Sequence, residues 1–516
     1  MKIKRKSPGQ PKQWNWKAVP WHVLLLSAYP ILALLAHNAT EVAPTVALLP
    51  LAISAASAGI LLLVLYVLLR NWQRAALVTT ILLILFFSYG HIYSLLKGIH
   101  ISVFFVFRHR TLAPIFLILA GLGTWWACRK KLNIQNVTLT LNVTGIILII
   151  MPVIQSSLVS WKQWNAWRES SQTVPSSLNA GTVSTFQESP DIYYIILDSY
   201  TRADTIQKLY GYDNSNFHNS LEELGFYVAD CSQSNYAQTE LSLASSLNLD
   251  YLDVLNASFV PGNTDRSPLW PLIRNSVIRQ FLESRGYKTI AFQTGYGWTQ
   301  ITNADIYLAP HPGAWELNIF QYMLIQTTAG RVLLDASELS LPNTPDDLIR
   351  RNTQFALEKL QVIPYIEGPK FIFAHLLVPH SFVFGPNGEP IAIDVSTMTA
   401  DIFKQGYVDQ VIFINKQIET IVSTIIANSP TPPIIIIQGD HGPTGSGRSN
   451  RVSILNAYYL PGHQDMLYKS ITPVNTFRVV LDAYFGQNLP LLPDISRYST
   501  YQNPYEYFEI ENDCAK

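Results

Sequence analysis

The first 160 residues contain five long apolar stretches and almost no acidic residues. The stretches cover residues 21–37, 46–69, 75–96, 112–128 and 137–159, and each reaches the roughly 17–25 residues that a helix needs to cross a bilayer. The same region holds 14 of the 36 Lys and Arg residues but only one of the 36 Asp and Glu residues, Glu41. This pattern predicts a membrane domain over residues 1–160. It argues against a single soluble fold, a nucleic-acid binder or a disordered chain.

The distribution of basic residues predicts the orientation of these spans. Eleven of the 14 lie at ends that face the cytoplasm if the N-terminus is inside, whereas Lys97, Arg108 and Arg110 lie in outer loops. Cytoplasmic loops are the ones enriched in Lys and Arg. With five spans, everything after residue 159 is then outside the cytoplasm. The sequence predicts a multi-pass protein of the plasma (inner) membrane with an extracytoplasmic C-terminal domain.

One outer segment, residues 91–110, departs from the charge rule because it contains three histidines and three basic residues. Two interpretations stay open. The segment is a tolerated violation of the rule, or it is an anionic lipid site that presents a phosphate-bearing substrate to the outer domain.

The residue composition of the chain changes after residue 160. Residues 161–190 begin with three tryptophans typical of a membrane interface and continue as a linker rich in Ser, Thr, Gln and Asn. From residue 191 to 516, apolar strand-like runs alternate with helical patterns, which predicts an α/β domain with a mainly parallel sheet between helices. The runs cover residues 191–198, 288–293, 370–377, 433–438 and 452–460, and helical patterns cover 215–224, 267–285, 347–360 and 401–427.

The chain has three cysteines, and two of them lie in the predicted outer domain. Cys231 and Cys514 are in a compartment where a disulfide persists, although spacing alone does not pair them. Cys128 lies at the inner end of the fourth span. No Cys-x-x-Cys or Cys/His zinc-finger pattern occurs.

Polar residues stand at the ends of three predicted strands. Asp198 ends the first strand, Asp440 and His441 follow the fourth, and His375 and His380 lie within and just after the third. Carboxylates and imidazoles are suitable ligands for Zn²⁺ or Mn²⁺. Each residue alone is more typical of a cap or a core position. Together they predict a metal site, because polar residues past the carboxyl ends of parallel strands converge.

Thr239 begins an amphipathic helical pattern that carries leucines at positions 241, 243 and 247. Threonine is a common helix cap, and a plain cap is one interpretation of this residue. The other places its hydroxyl at the positive end of a helix, where free N–H groups favour a tetrahedral oxyanion. A nearby metal would activate that hydroxyl as a nucleophile.

This order of motifs resembles the sulfatase-like branch of the alkaline phosphatase superfamily. The resemblance covers residues 191–462 and rests on the strand-terminal Asp198, Thr239 at a helix start, FAHLLVPH ending at His380, and GDHG around Asp440. Five spans before an outer catalytic domain are also similar to lipoteichoic acid synthases and lipid A phosphoethanolamine transferases. The resemblance implies an alkaline-phosphatase-like fold for residues 191–516. It also implies site residues, with Asp198, Thr239, Asp440 and His441 binding a metal, Thr239 and His380 acting in catalysis, and His375 and His380 holding the transferred group or a second metal. Arg448 is a further candidate for substrate contact.

Several residues depart from the family patterns. No Cys-x-Pro-x-Arg occurs, so the formylglycine nucleophile of sulfatases cannot be made at this site. The membrane transferases usually have Glu where this chain has Asp198. No histidine follows directly after the GDHG motif, which leaves a second metal in doubt. Arg448 and Arg451 are candidates for anion contact or for surface residues of a Gly/Ser loop.

The combined prediction is a membrane-anchored, metal-dependent enzyme that transfers or hydrolyses a phospho group through Thr239. One divalent ion is expected, and Mn²⁺, Zn²⁺, Mg²⁺ and Ca²⁺ all fit the donor set. The expected partner is a membrane lipid or a cell-envelope phosphoester. Two alternatives stay open, a sulfuric ester hydrolase and a non-catalytic sensor or assembly protein that retains the fold.

Overall fold

The computed structural model describes residues 19–97, 109–129, 132–170, 178, 189–311, 317–335, 344–391 and 399–515. Within it the chain forms two compact units. The first contains Met1–Ser160 and Leu317–Leu341, and the second contains Trp161–Glu316 and Pro342–Lys516. Most of the linker predicted over residues 161–190, and the middle of the basic segment at 91–110, lie outside the described residues.

The regular elements are numbered in chain order. The α-helices are α1 (His22–His37), α2 (Leu48–Leu69), α3 (Trp72–Lys97), α4 (His109–Ala127), α5 (Ile134–Ser170), α6 (Ala203–Tyr210), α7 (Ser215–Glu223), α8 (Thr239–Ser246), α9 (Leu252–Leu255), α10 (Leu269–Arg274), α11 (Val277–Ser284), α12 (Ile319–Thr327), α13 (Arg331–Asp335), α14 (Pro345–Leu360), α15 (Ala400–Asn428), α16 (Arg448–Val452) and α17 (Pro473–Phe485). The strands are β1 (Ile192–Leu197), β2 (Tyr227–Val228), β3 (Lys288–Phe292), β4 (Ile306–Leu308), β5 (Lys370–Leu376), β6 (Ile434–Gly439), β7 (Asn456–Tyr459), β8 (Ser496–Tyr498) and β9 (Phe508–Ile510).

Helices form at all five predicted spans of the first unit, but they differ in length. Within the described residues, four stretches are long and apolar enough to cross a membrane, Pro44–Leu69, Trp72–Leu96, His109–Ala127 and Ile134–Arg168. Helix α1 has 16 residues, and at 1.5 Å per residue it is shorter than a hydrocarbon core of about 30 Å. The structure therefore supports four membrane spans, and the fifth rests on the sequence prediction.

The second unit is built on a seven-stranded sheet with the strand order β2-β7-β6-β1-β5-β3-β4. The five strands β6, β1, β5, β3 and β4 are parallel, whereas β7 is antiparallel to both of its neighbours. Strand β1 is buried along its whole length. Its residues alternate between two cores, with Tyr194 and Ile196 in one and Tyr193 and Ile195 in the other. The sheet is thus mainly parallel and covered on both faces, as its apolar runs predicted.

Two details of the second unit differ from the sequence prediction. The helix expected over residues 267–285 is two helices, because Ser276 accepts a hydrogen bond from the Arg279 N–H and starts α11 as a new helix. The strands β2, β4, β8 and β9 have only two or three residues, which is too short for an alternating pattern to reveal. The structure also pairs Cys231 with Cys514 in a disulfide that joins residues 283 positions apart.

A buried ion pair closes the end of the sheet opposite the strand-end carboxylates. The Lys370 ammonium lies 2.8 Å from an Asp191 carboxylate oxygen, and both side chains are more than nine-tenths buried. Burial raises the pKa of Asp191 even though Lys370 opposes the change. This pair holds the starts of β1 and β5 together.

We expect Lys370→Met to lower the free energy of unfolding by about 3–5 kcal/mol, because Asp191 then stays buried without its partner. The deficit should grow as the pH rises from acidic to neutral, since a raised pKa favours the neutral carboxyl and stability falls once that group ionises. Thermal unfolding of the full chain in detergent measures both effects. The double variant Asp191→Asn/Lys370→Met should recover part of the loss, and a deficit that persists unchanged there would contradict the ion-pair explanation.

Candidate active site

The register of the sheet brings the strand-end residues together. Leu197 of β1 lies opposite Leu376 of β5 and opposite Gly439 of β6. Asp198 and Asp440, which come next in the chain after β1 and β6, therefore meet at the carboxyl edge of the sheet. His375 is the penultimate residue of β5 and reaches the same point. This edge is where parallel α/β sheets bind their ligands.

The oxygen and nitrogen atoms of these side chains surround one small volume. Ligand-type atoms of Asp198, His375 and Asp440 all lie within 4.8 Å of one another, and the three residues are buried. The His441 Nε2 atom is 3.4 Å from Asp440 Oδ2 and 4.0 Å from Asp198 Oδ1, and His375 Nε2 is 3.4 Å from Asp198 Oδ2. Donors at about 2.1 Å from a tetrahedral ion are about 3.4 Å apart, so this spacing suits a bound divalent cation.

Two atoms of the cluster are buried without a protein hydrogen-bond partner, His375 Nε2 and Asp440 Oδ2. A buried polar atom left unpaired costs about 1–3 kcal/mol, so such atoms call for an explanation. An ion bound between them would supply the missing interaction. The residues present therefore fit a metal ion, whose identity and number the donor set leaves open.

Thr239 faces this cluster from the first turn of α8. Its hydroxyl oxygen lies 3.0 Å from His441 Nε2. The other ring nitrogen, Nδ1, is 3.0 Å from the Gly442 carbonyl. Because a carbonyl only accepts, Nδ1 is the donor, and Nε2 is free to accept from the Thr239 hydroxyl. Helix geometry leaves the first N–H groups of α8, which begins at Thr239, without acceptors inside the helix.

Burial and neighbouring charges decide the ionisation of the cluster. Burial, reinforced by the Arg451 guanidinium, lowers the pKa of His441 to about 4. His441 is therefore neutral at ordinary pH, which is the form that accepts a proton or binds a metal. Burial by itself would raise the pKa of Asp198, but neighbouring groups, chiefly the imidazoles of His380 and His375, outweigh burial and hold that pKa below its usual range. Asp198 thus stays a carboxylate.

Ser199 holds the two metal-type carboxylates in place. Its backbone adopts a positive φ of 63°, a conformation that costs roughly 1–3 kcal/mol for a residue other than glycine. In this conformation the Ser199 N–H donates to Asp440 Oδ1, and the hydroxyl lies 3.1 Å from Asp198 Oδ1. The Tyr407 hydroxyl fixes the turn by donating to the Ser199 carbonyl.

Arg451 contacts both His441 and the loop that precedes Thr239. Its Nη2 atom is 3.3 Å from His441 Nε2, and Nε donates to the carbonyl of Ala237, two residues before Thr239. Nη1 donates to the Gly442 carbonyl. Gly442 permits this approach because a Cβ there would lie 2.0 Å from the Asn450 carbonyl oxygen. Arg451 thus joins the Thr239 loop to the loop that carries Asp440 and His441.

The other residues predicted from sequence lie at different distances from this centre. The side chain of His380 is 50% exposed, with Nδ1 at 3.2 Å from the Ser199 hydroxyl and 3.6 Å from Asp198 Oδ1. His375, predicted as a substrate contact, lies beside the buried carboxylates, and the Thr299 hydroxyl is 2.8 Å from its Nδ1. The guanidinium of Arg448 packs over the rings of Tyr498 and Phe508.

Sequence reasoning did not identify Ser199, Thr299 or Tyr407 as parts of the site. Ser199 had one signal, its position directly after the strand-end Asp198. Thr299 and Tyr407 had none, because both reach the site from elements distant in the chain. The sequence presents Arg451 only as one of two arginines in a Gly/Ser-rich loop, and its spacing from His441 carries no recognisable pattern.

No protein-family model matches the chain, and the search of curated proteins finds no match. Solved structures do match, and they include sulfatases and phosphoethanolamine transferases.

Three of these structures are described by their identity, TM-score and coverage, with the coverage of this chain given first. The integral membrane lipooligosaccharide phosphoethanolamine transferase A from Neisseria meningitidis is 11% identical, with a TM-score of 0.38, and the match covers 91% of this chain and 95% of that one. The C-terminal periplasmic domain of EcEptC from Escherichia coli in complex with Zn is 13% identical, with a TM-score of 0.37 and coverage of 64% and 94%. A 2-O GAG sulfatase is 12% identical, with a TM-score of 0.39 and coverage of 59% and 72%.

Proposed function

We propose that this chain is a membrane-anchored, metal-dependent enzyme that transfers or hydrolyses a phospho group through Thr239. The observation that carries the proposal is the meeting of a helix-start hydroxyl with two buried carboxylates and two imidazoles at one sheet edge. Asp198, Asp440, His441 and Thr239 would hold a divalent ion, with His375 beside the same carboxylates. Such an ion lowers the pKa of the hydroxyl and neutralises charge that develops on the phosphoryl oxygens.

The residues of the chain then divide the reaction between them. Thr239 loses its hydroxyl proton to solvent water, and its oxygen forms a bond to phosphorus as the bond from phosphorus to the leaving alcohol breaks. Arg451 and the first N–H groups of α8 bind the phosphoryl oxygens. His380 is exposed at the rim and gives a proton to the departing alcohol. An acceptor alcohol or water then displaces Thr239 from phosphorus and restores the hydroxyl.

The proposed substrate is a lipid or another phosphoester of the cell envelope. Support comes from the four apolar helices of the first unit and from the excess of basic residues on their inner side. In this proposal the N-terminus is cytoplasmic and the second unit is outside the plasma (inner) membrane, where the headgroups of outer-leaflet lipids are available.

Sulfate-ester hydrolysis is the second candidate, and the cysteines argue against it. The Cys-x-Pro-x-Arg motif that yields a formylglycine nucleophile is absent, Cys231 is engaged with Cys514, and Cys128 lies in the first unit. A sulfatase would have to use Thr239 directly. A non-catalytic sensor would have no need of a hydroxyl held 3.0 Å from an uncharged imidazole.

Substrate profiling of the purified full chain tests the proposal. We expect turnover of a chromogenic phosphomonoester or phosphodiester that depends on an added divalent metal, and no turnover of the sulfate ester. Preferential sulfate-ester turnover would replace the proposal with the sulfatase alternative. No turnover of any chromogenic substrate or of labelled phospholipid in vesicles would favour the non-catalytic alternative.

Arg451→Lys is expected to lower phosphoester turnover by about a hundredfold, the usual cost of losing one preorganised donor to a transition-state oxyanion. Lysine keeps the charge but cannot reproduce the planar fork that bonds both loops. The comparison variant is Arg448→Lys, three residues earlier, for which we expect a much smaller loss because that guanidinium packs on Tyr498 and Phe508. Steady-state kinetics measures phosphoester turnover of both variants. Equal losses of turnover would contradict a special role for Arg451.

A further inference from the structure

A segment from the middle of the catalytic half of the sequence belongs to the first unit. The chain passes out of the second unit after Glu316 and rejoins it at Pro342, and between these points it forms α12 and α13. The segment starts in a small apolar cluster. Phe320 of α12 is buried with Ile31 and Leu35 of α1 and with Ala47, which lies just before α2.

The middle of the segment packs backbone to backbone against α3. The Ala329 N–H donates to the Phe86 carbonyl at 2.8 Å. One helical turn further along α3, a Cβ on Gly90 would lie 2.1 Å from the Gln326 carbonyl oxygen and 2.4 Å from the Thr327 carbonyl carbon. Only glycine fits at this position. Close approach at small residues is the way in which helices pack inside membranes, where no hydrophobic effect drives them together.

The end of the segment is fixed by polar contacts with α3 and α4. His109 of α4 stacks on Tyr93 of α3 at 4.2 Å between ring centroids, and its Nε2 lies 2.8 Å from Asp335 of α13. Arg331 of α13 donates to the Ser94 hydroxyl, and its guanidinium lies over the Tyr93 ring. The segment is thus held to the membrane helices at its start, middle and end.

The side of α13 that faces away from these contacts is apolar. Arg331 and Asp335 are four residues apart and share the face that meets α3 and α4. Leu333, halfway between them, points the other way and is 71% exposed. Leu333 thus adds an exposed apolar side chain to a unit whose apolar helices already expose others, such as Leu117 of α4. Exposed apolar side chains on helices that are long and apolar enough to cross a bilayer, and on a helix packed against them, fit lipid rather than water.

We propose that residues 317–335 are a membrane-seated element whose outward apolar side contacts the outer leaflet of the bilayer. The partner is the lipid surface itself. The proposal rests on the membrane assignment of the proposed function and not on its chemistry. It means that the catalytic half of the sequence is tied to the bilayer at a second place besides α5.

The test uses the full chain in phosphatidylcholine–phosphatidylglycerol nanodiscs, with Cys128→Ser so that one introduced cysteine takes a nitroxide label. Leu333→Cys is compared with Leu117→Cys in α4 and Val254→Cys in α9, where the native side chains are 73% and 67% exposed. Collision of the label with oxygen and with a water-soluble nickel complex reports its environment. We expect label 333 to favour oxygen, as label 117 does, whereas label 254 favours nickel. If the label at position 333 behaves like the label at position 254, the present inference is wrong but the membrane assignment stands. If label 117 also favours nickel, the membrane assignment fails as well.

A second variant tests the packing that seats the segment. Gly90→Ala should expose label 333 to the nickel complex, because the added methyl group meets backbone atoms that cannot move without displacing the segment. Gly121→Ala in α4 is the matched control, since a Cβ there has no atom within 4 Å, and it should leave the label protected. If the label at position 333 in Gly90→Ala is as inaccessible to the nickel complex as before, the proposed packing of the segment on α3 is wrong.

Discussion

Replacing Thr239 with alanine is expected to reduce phosphoester turnover of the full chain by at least about a thousandfold, as the loss of a covalent nucleophile does in other enzymes. The hydroxyl lies 3.0 Å from His441 Nε2 at the start of α8, and no described side chain in the cluster offers an equivalent oxygen at that place. Steady-state turnover of the preferred phosphoester measures the loss. A mass increase on the Thr239 peptide after a quenched reaction would identify the covalent intermediate.

Two control variants separate chemistry from folding. Thr239→Ser keeps the hydroxyl and should retain a measurable fraction of the activity, because only a methyl group is lost. Ser242→Ala removes another buried hydroxyl one turn further along α8 and should leave turnover within about twofold, since that residue lies outside the donor cluster. If Thr239→Ala keeps full activity, the Thr nucleophile is wrong, and water attack or another residue must replace it in the mechanism.

Asp440→Asn is expected to abolish both metal binding and turnover. The Asp440 Oδ1 atom accepts from the backbone N–H groups of Ser199 and His441, and an amide oxygen can keep those bonds. Oδ2 is the buried atom without a partner, and an amide nitrogen there donates hydrogen bonds and cannot bind a cation. The substitution therefore removes one metal ligand while it preserves the shape of the loop.

Thermal unfolding with and without added metal measures this effect. In the parent chain, saturating Mn²⁺ or Zn²⁺ at about a hundred times its dissociation constant should stabilise the folded state by about 2.7 kcal/mol, and a chelator should reverse the change and stop turnover. Asp440→Asn should show neither response. Asp204→Asn is the matched control, because that carboxylate pairs with Arg202 and is more than half exposed. Equal metal stabilisation of parent and Asp440→Asn would show that the ion binds elsewhere.

The sequence alone was sufficient for the broad architecture. Apolar stretches with basic flanks located the helices of the first unit, because a bilayer imposes both length and composition on any helix that crosses it. The fully apolar runs at β1, β5 and β6 indicated a covered parallel sheet. The length of α1 was the exception, since its apolar stretch is near the lower limit for a span.

The candidate site was also partly visible in the sequence. Asp198 and the Asp440–His441 pair could be recognised because they directly follow strands, and parallel strands bring such positions to one edge. Thr239 could be recognised from the helical pattern that follows it.

Only the tertiary structure could reveal the contacts between residues distant in the chain. The positive φ of Ser199, the Thr299–His375 contact and the position of Arg451 beside His441 depend on how loops from separate elements meet. The same holds for the Cys231–Cys514 pairing and for α12 and α13 in the first unit. A local sequence pattern indicates the kind of environment that a residue favours, such as lipid, protein core or solvent. It does not report which distant residue supplies that partner, because that choice is made by the packing of the whole chain.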